Sequence, residues 1–170
     1  MVSEDESVAG PLGRWDHDEL AAWLSLLFTT QLLRDRLDAE LRRRHGLSLE
    51  DYAVLVAIEA DPKGRVRVTE LAEAALLSQS RLSHQIKRME ARDLVRREQA
   101  ALDKRGVEVV LTETGRELLR EAAPGHIDRV RQYFLKHLSP RDRTRLTAIL
   151  RPALETLATS PALLGMLPPR

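Results

Sequence analysis

Apolar residues recur three and four positions apart along most of this chain, and the breaks between registers mark out its elements. Leu20, Trp23, Leu24, Leu27 and Phe28, continued by Leu33, Leu37 and Leu41, have the spacing of one long helix over about Asp16 to His45. Arg42, Arg43, Arg44 and His45 crowd its last turn ahead of Gly46. Cations favour a helix C-terminus and glycine suits the left-handed position after it. The arginine run is therefore read as a solvated helix end in preference to a DNA patch. A second helix is predicted to start at Ser48, a good N-cap with Asp51 three residues on and Leu47 placed to pack on Tyr52. It runs to about Ala60 with Tyr52, Leu55, Val56 and Ala60 as its core face, and Asp61-Pro62-Lys63-Gly64 ends it. Val66 and Val68 alternate with Arg65 and Arg67, the pattern of a short strand available to a later hairpin. Thr69 is then placed to cap a short helix from Glu70 to about Leu76, with Leu71, Ala72 and Ala75 inward.

Ser78 caps the next helix. With Leu82 as origin and 100° per residue, Ile86 and Met89 fall within about 40° of it. Ser80, Arg81, Ser83, His84, Lys87 and Arg88 fall on the opposite side. A helix held by one apolar stripe, with a cationic outer face, is shaped to enter a major groove. Its N-terminal residues Gln79, Ser80, Arg81, Ser83 and His84 would meet base edges, and Lys87 and Arg88 phosphates. Alone, the pattern suits an amphipathic surface helix equally well. The short helix before it and the hairpin after it favour the DNA reader.

That hairpin is predicted from Leu94 to Glu98 and Val107 to Leu111, with Gln99 to Gly106 as its loop. The loop ends in Asp103-Lys104-Arg105-Gly106, a cationic tip suited to a minor groove, where a solubilising hairpin end is the bland alternative. Helical spacing resumes after Thr112. Pro124-Gly125 predicts a kink or break, and Ile127, Val130, Phe134 and Leu138 continue as a seam. Ser139-Pro140-Arg141-Asp142 is a start signal for a last helix carrying Leu146, Ile149, Leu150, Ala153 and Leu157, with Pro152 expected to bend it.

The fold class expected is mainly α with a small β-hairpin wing: a winged helix-turn-helix with N- and C-terminal dimerisation helices. Residues 1–15 form a flexible tail and 16–46 a dimerisation helix. Residues 47–112 form the winged helix-turn-helix DNA-binding lobe, 113–158 the C-terminal dimerisation helices, and 159–170 a loose tail whose Leu163, Leu164 and Leu167 are available to a partner. The terminal helices carry more apolar seam than a lone winged helix needs, and a second copy is its natural cover.

Composition adds three points. With 27 Lys and Arg against 26 Asp and Glu the total charge says little, but its distribution is uneven. Between Ser80 and Gly106, Arg81, Lys87, Arg88, Arg92, Arg96, Arg97, Lys104 and Arg105 face only Glu90, Asp93, Glu98 and Asp103, the footprint of a polyanion binder. The chain has no cysteine, which excludes disulfides, thiolate metal sites and cysteine-based redox sensing. No apolar run is long enough to span a membrane and the acidic N-terminus does not read as a signal peptide, so a cytoplasmic location is expected.

The segments LSLEDYAVL, VTELAEAALLSQSRLSHQIKRMEARDLVRR and DKRGVEVVLTETGRELL, in that order, resemble the multiple-antibiotic-resistance regulator (MarR) family of bacterial transcription factors. The resemblance covers nearly the whole chain. It implies a homodimer with interleaved first and last helices, a pseudo-palindromic double-stranded DNA operator, and repression relieved by a small, often aromatic ligand. By position, Ser78 to Arg88 would be the groove-reading helix, Arg105 the wing-tip arginine, and Asp103 a residue fixing the wing's shape. Two departures stand out. Leu76 occupies a turn position that is often glycine, and Asp93 replaces the glycine of the family's Glu-x-x-Gly-Leu-Val. Aspartate tolerates the left-handed conformation better than most residues. Ala53 and Gln85 stand where the urate-responsive subgroup has an aspartate and an arginine, so urate is not carried over.

No phosphate-binding glycine loop, nucleophile elbow or metalloprotease helix is present, and the five histidines lack close ligand spacing. Neither an enzyme, a cofactor nor a metal is expected. Trp23, Phe28 and Tyr52 are candidate ligand-pocket residues, against plain core as the bland reading. The rival functions are a helical dimeric scaffold acting through protein partners and an architectural DNA binder without ligand sensing.

Overall fold

The computed structural model describes residues 15–100, 106–158 and 161–167. Seven helices and three strands are defined among them, in the order α1 (His17–His45), α2 (Leu49–Glu59), β1 (Arg65–Arg67), α3 (Val68–Ala74), α4 (Gln79–Glu90), β2 (Val95–Gln99), β3 (Val107–Leu111), α5 (Glu113–Tyr133), α6 (Pro140–Leu157) and α7 (Pro161–Gly165). The result is a mainly helical chain with a small antiparallel sheet, the winged helix-turn-helix expected. Residues 1–14, 159–160 and 168–170, with most of the predicted tails, lie outside the described residues.

The chain divides into two compact units between Arg36 and Leu37, inside α1. The first consists, as described, of the N-terminal part of α1. Asp16 Oδ1 accepts from the Glu19 amide at 2.7 Å and so starts that helix. The second unit holds everything else. Gly46 closes α1 at φ +63°, its amide donating to the Arg42 carbonyl at 3.0 Å. Asp38 then accepts from the Leu49 amide at 2.8 Å, tying the end of α1 to the start of α2.

The capping box read at Ser48 is present: its Oγ accepts from the Asp51 amide at 2.9 Å, and Asp51 accepts from the Ser48 amide at 2.8 Å. The core face assigned to α2 needs correction. Tyr52 and Leu55 are buried, but so are Val54, Ala57 and Ile58, while Ala60 is exposed. Val56 is half-buried and Glu59 and Ala60 are exposed, so one stripe of α2 stays partly open while neighbours cover the rest of its circumference.

β1 forms as expected and pairs antiparallel with β3, Val66 opposite Val109; β2 pairs with the other edge of β3, giving the order β1-β3-β2. Strand β2 runs one residue later than the hydrophobic pattern suggested. Helix α3 also begins differently. Thr69 does not cap it; Arg67 holds that position without a side-chain hydrogen bond, because β1 runs directly into the helix. At its other end the Leu76 amide donates to Glu73 and the Leu77 amide to Ala72, at 3.0 and 2.8 Å. This Schellman closure puts Leu76 at φ +55°. Asp93 takes the same φ after α4, with Leu94 donating back to Met89.

Leu47, Leu55, Ile58, Leu71, Leu82, Ile86 and Met89 are the fully buried centre of the second unit. Of the kink or break expected at Pro124, the break does not occur: α5 is one helix through it. Proline removes one amide donor, and the turns on both sides retain enough bonds to carry the helix to Tyr133. Helix α6 starts from a capping box of Ser139 and Asp142 and includes Pro152 within its length. Helix α7, in the stretch expected to be loose, lies against α3 with Leu163, Leu164 and Leu167 half-buried.

Candidate nucleic-acid interface

Helix α4 is set by Ser78, whose Oγ accepts from the Arg81 amide at 3.3 Å. Its inner face is buried through Leu82, Gln85, Ile86 and Met89. Gln79, Ser80, Arg81, Ser83, His84, Lys87 and Arg88, all predicted to face DNA, are exposed. The structure therefore brings the seven to one surface. Arg81 pairs with Glu50 in the first turn of α2, and Arg88 donates to Gln85. His84 and Lys87 have no partner among the described residues.

The wing adds cations beside this face. Arg97 on β2 binds Glu90 through its amide at 3.1 Å and its guanidinium at 2.6 Å, and donates to the Ser83 carbonyl at 3.4 Å. Between the start of α3, the outer edge of α4 and the wing lies an open groove of about 370 Å³, lined by Arg67, Thr69, Ser83, Arg97 and Val107. Arg67, Thr69 and Arg97 were not among the predicted contacts. The signal for Arg67 was the Arg-Val-Arg alternation of β1, which put both arginines on one strand face. Asp103, Lys104 and Arg105, the predicted tip, lie outside the described residues; the hairpin closes just below them, where the Ala100 amide donates to the Gly106 carbonyl at 3.0 Å.

The root of the wing is fixed by Asp93. Its carbonyl accepts from the Thr112 hydroxyl, and its carboxylate from the Thr114 hydroxyl at 3.0 Å, while Thr112 also caps α5. Gly115 in the first turn of α5 sits against the backbone of Leu94, where an added Cβ would come within 1.9 Å of the carbonyl oxygen.

A second opening lies between α2 and α5, an open cleft of about 390 Å³ whose lining includes Tyr52, Val56, Glu59, Arg116, Leu119 and Arg120. Arg116 is paired with Glu113 at 3.1 Å and Glu59 at 3.8 Å, whereas Arg120 has no ion-pair partner among the described residues. Behind the cleft the rings of Tyr52 and His126 stack 4.3 Å apart. Burial pushes the Tyr52 phenol up and the His126 imidazole down, since both ionised forms lose water there. Of the three predicted pocket aromatics, Tyr52 lines this cleft. Trp23 and Phe28 belong to the N-terminal unit and are 46% and 56% exposed. Among the described residues, no cluster of His, Asp or Glu could hold a metal and no helix is long and apolar enough to cross a membrane.

Comparison with known proteins fits this geometry. The sequence profile of the MarR family matches residues 45–106. The transcriptional regulator HosA of Escherichia coli O157:H7 is 39% identical over 110 residues, covering 65% of this chain and 79% of that protein. The structure is similar to AbsC, a MarR family transcriptional regulator from Streptomyces coelicolor, with TM-score 0.81, 41% identity, and 86% and 98% of the two chains covered. It is similar also to Sco3205 from the same organism, a MarR family regulator solved in complex with DNA, with TM-score 0.81, 40% identity and coverage of 92% and 94%.

Proposed function

Since the chain belongs to the MarR family of transcriptional regulators, we propose that it is a homodimeric, sequence-specific DNA-binding repressor released by a small ligand. The observation that carries the DNA reading is α4: four inner residues are buried and seven outer ones exposed, and the exposed set is polar or cationic throughout. A helix docked this firmly presents a fixed face to a groove. Gln79, Ser80, Arg81, Ser83 and His84 are assigned to base edges. Lys87 and Arg88 are assigned to phosphates, with Lys104 and Arg105 beyond the described wing and Asp103 shaping it.

Dimerisation is assigned to residues 16–46 and 113–158. Exposed Trp23, Leu27, Phe28, Ile149 and Leu157 support it, since a chain working alone gains nothing from leaving them in water. The effector is assigned to the cleft beside Tyr52. An aromatic acid suits it: apolar walls for the ring and, for the carboxylate, the guanidinium of Arg120, which has no ion-pair partner among the described residues. Such a ligand would act by favouring a dimer whose two α4 helices no longer match successive major grooves.

Selection of bound duplexes from a random pool, followed by titration at two salt concentrations, tests the reading. A two-fold symmetric site with half-sites about one helical turn apart is expected. Lys87→Ala should lower the slope of log affinity against log salt by about 0.9, and His84→Ala should change the selected bases. Steep salt dependence without an enriched sequence would leave an architectural binder, and no binding at low salt a protein-partner scaffold.

A further inference from the structure

Gln85 is the one polar residue on the buried side of α4, 1% exposed among Leu82, Ile86 and Met89. Its amide nitrogen donates to Asp51 Oδ1 in the first turn of α2, and its amide oxygen accepts from the Arg88 guanidinium. The direction of this relay is dictated by chemistry. A carboxylate offers only acceptors and a guanidinium only donors, so the amide between them fits one way round. Asp51 is itself fixed: Oδ2 accepts from the Ser48 amide at 2.8 Å and lies 3.6 Å from Arg92. The anchor at one end is thus rigid and buried, and the group at the other end is an exposed arginine on the outer face of α4.

We propose that Gln85 is a positioning residue, holding the Arg88 guanidinium in the orientation that meets the DNA backbone, with Asp51 as the group that sets the amide. This rests on the assignment of Arg88 to a phosphate contact. An arginine on an exposed helix face samples many rotamers, and binding DNA must select one. The relay makes that selection before DNA arrives, so part of the ordering entropy is already spent. Arg81, by comparison, is held directly by Glu50, and Lys87 is not held by any described residue.

The test is a double-mutant cycle on the full-length protein, titrating a selected operator duplex and measuring thermal unfolding of every variant. Arg88→Ala should weaken binding about tenfold. Gln85→Met keeps length and apolar fit while removing the amide. It should weaken binding about three- to tenfold in the natural chain and not at all when Arg88 is already alanine. An equal loss in both backgrounds would overturn the proposal, because Gln85 would then act on the lobe as a whole. Should Arg88→Ala bind as tightly as the natural chain, the phosphate assignment fails first, and the proposal falls with it.

A polarity swap keeps the question open to refutation if Gln85→Met does not fold. Asp51→Asn with Gln85→Glu preserves shape and total charge while exchanging donor and acceptor between the two sites. The pair together should recover at least half of the affinity, on a logarithmic scale, that either change alone removes. A double variant that folds and binds no better than the single ones would overturn the relay.

Discussion

Leu55 in α2 and Leu157 in α6 are the same side chain at opposite ends of the burial range, 0% and 77% exposed. Each sits in a helix with a good cap and leucines at regular spacing. Around Leu55 the chain supplies its own cover from α3, α4, α5 and the sheet. Helix α6 has an apolar stripe through Leu146, Ile149, Leu150 and Leu157, yet buries no residue at all. The difference teaches which part of the molecule is finished within one chain. The winged-helix lobe is a closed core, whereas α6 leaves its apolar stripe uncovered by the described residues, the stripe that the proposed dimer would cover.

The largest expected effect tests how tightly the lobe is closed. Gly115→Ala forces a methyl into the Leu94 backbone, which has no rotamer to yield, and should cost about 3 kcal/mol or more. Chemical denaturation measures it; a loss below 1 kcal/mol would mean that the base of the wing is loosely seated. Next comes the open half. Ile149→Asp with Leu157→Asp should raise the dimer dissociation constant about a hundredfold by sedimentation while α2 to β3 stay folded by circular dichroism. Unchanged sedimentation would remove α6 from the interface. A smaller effect, of opposite sign, is expected at Leu76. Its side chain is 68% exposed and its φ is +55°, so Leu76→Gly relieves strain and gives up little burial. It should stabilise the lobe by about 0.5 kcal/mol, after the extra freedom of glycine in the unfolded chain is subtracted. The slightest effect belongs to His126. Burial lowers its folded-state pKa, so the unfolded chain binds a proton more readily. Its contribution is complete above the unfolded value of about 6.5 and is lost as pH falls through and below it. His126→Phe, keeping the stack on Tyr52, should flatten the thermal midpoint over that range, and an unaltered slope would assign it to other groups.

Much of the lobe could be read from the sequence because its signals are local. Ser48, Ser78 and Ser139 announce helix starts through side chains that bond three residues ahead, and all three do so. The face of α4 followed from a 3.6-residue period. Asp93 was legible too: an acid in a glycine position points to a left-handed turn, and its φ is +55°. What escaped depends on partners far along the chain. The start of α3 is set by β1 pairing with β3, so no capping residue marks it. The burial of Val54, Ala57 and Ile58 needs neighbours that the period of α2 alone does not reveal. Pro124 reads as a kink or break, yet the turns before and after it carry α5 through as one helix. Gln85 was visible in principle, since the wheel places it about 60° from Leu82 on the apolar stripe. Its partner Asp51, in another helix, was not.

Asp93 also makes the wing a lever. Its root is bonded to Thr112 and Thr114 at the start of α5, so a rotation of that helix would be passed to the wing through these two bonds. A five-residue strand is about 17 Å long. A rotation of about 10° at the root therefore sweeps its far end through about 3 Å, the full length of a hydrogen bond. Angular changes too small to disturb any packed core are large enough, at that radius, to lift a side chain off a phosphate.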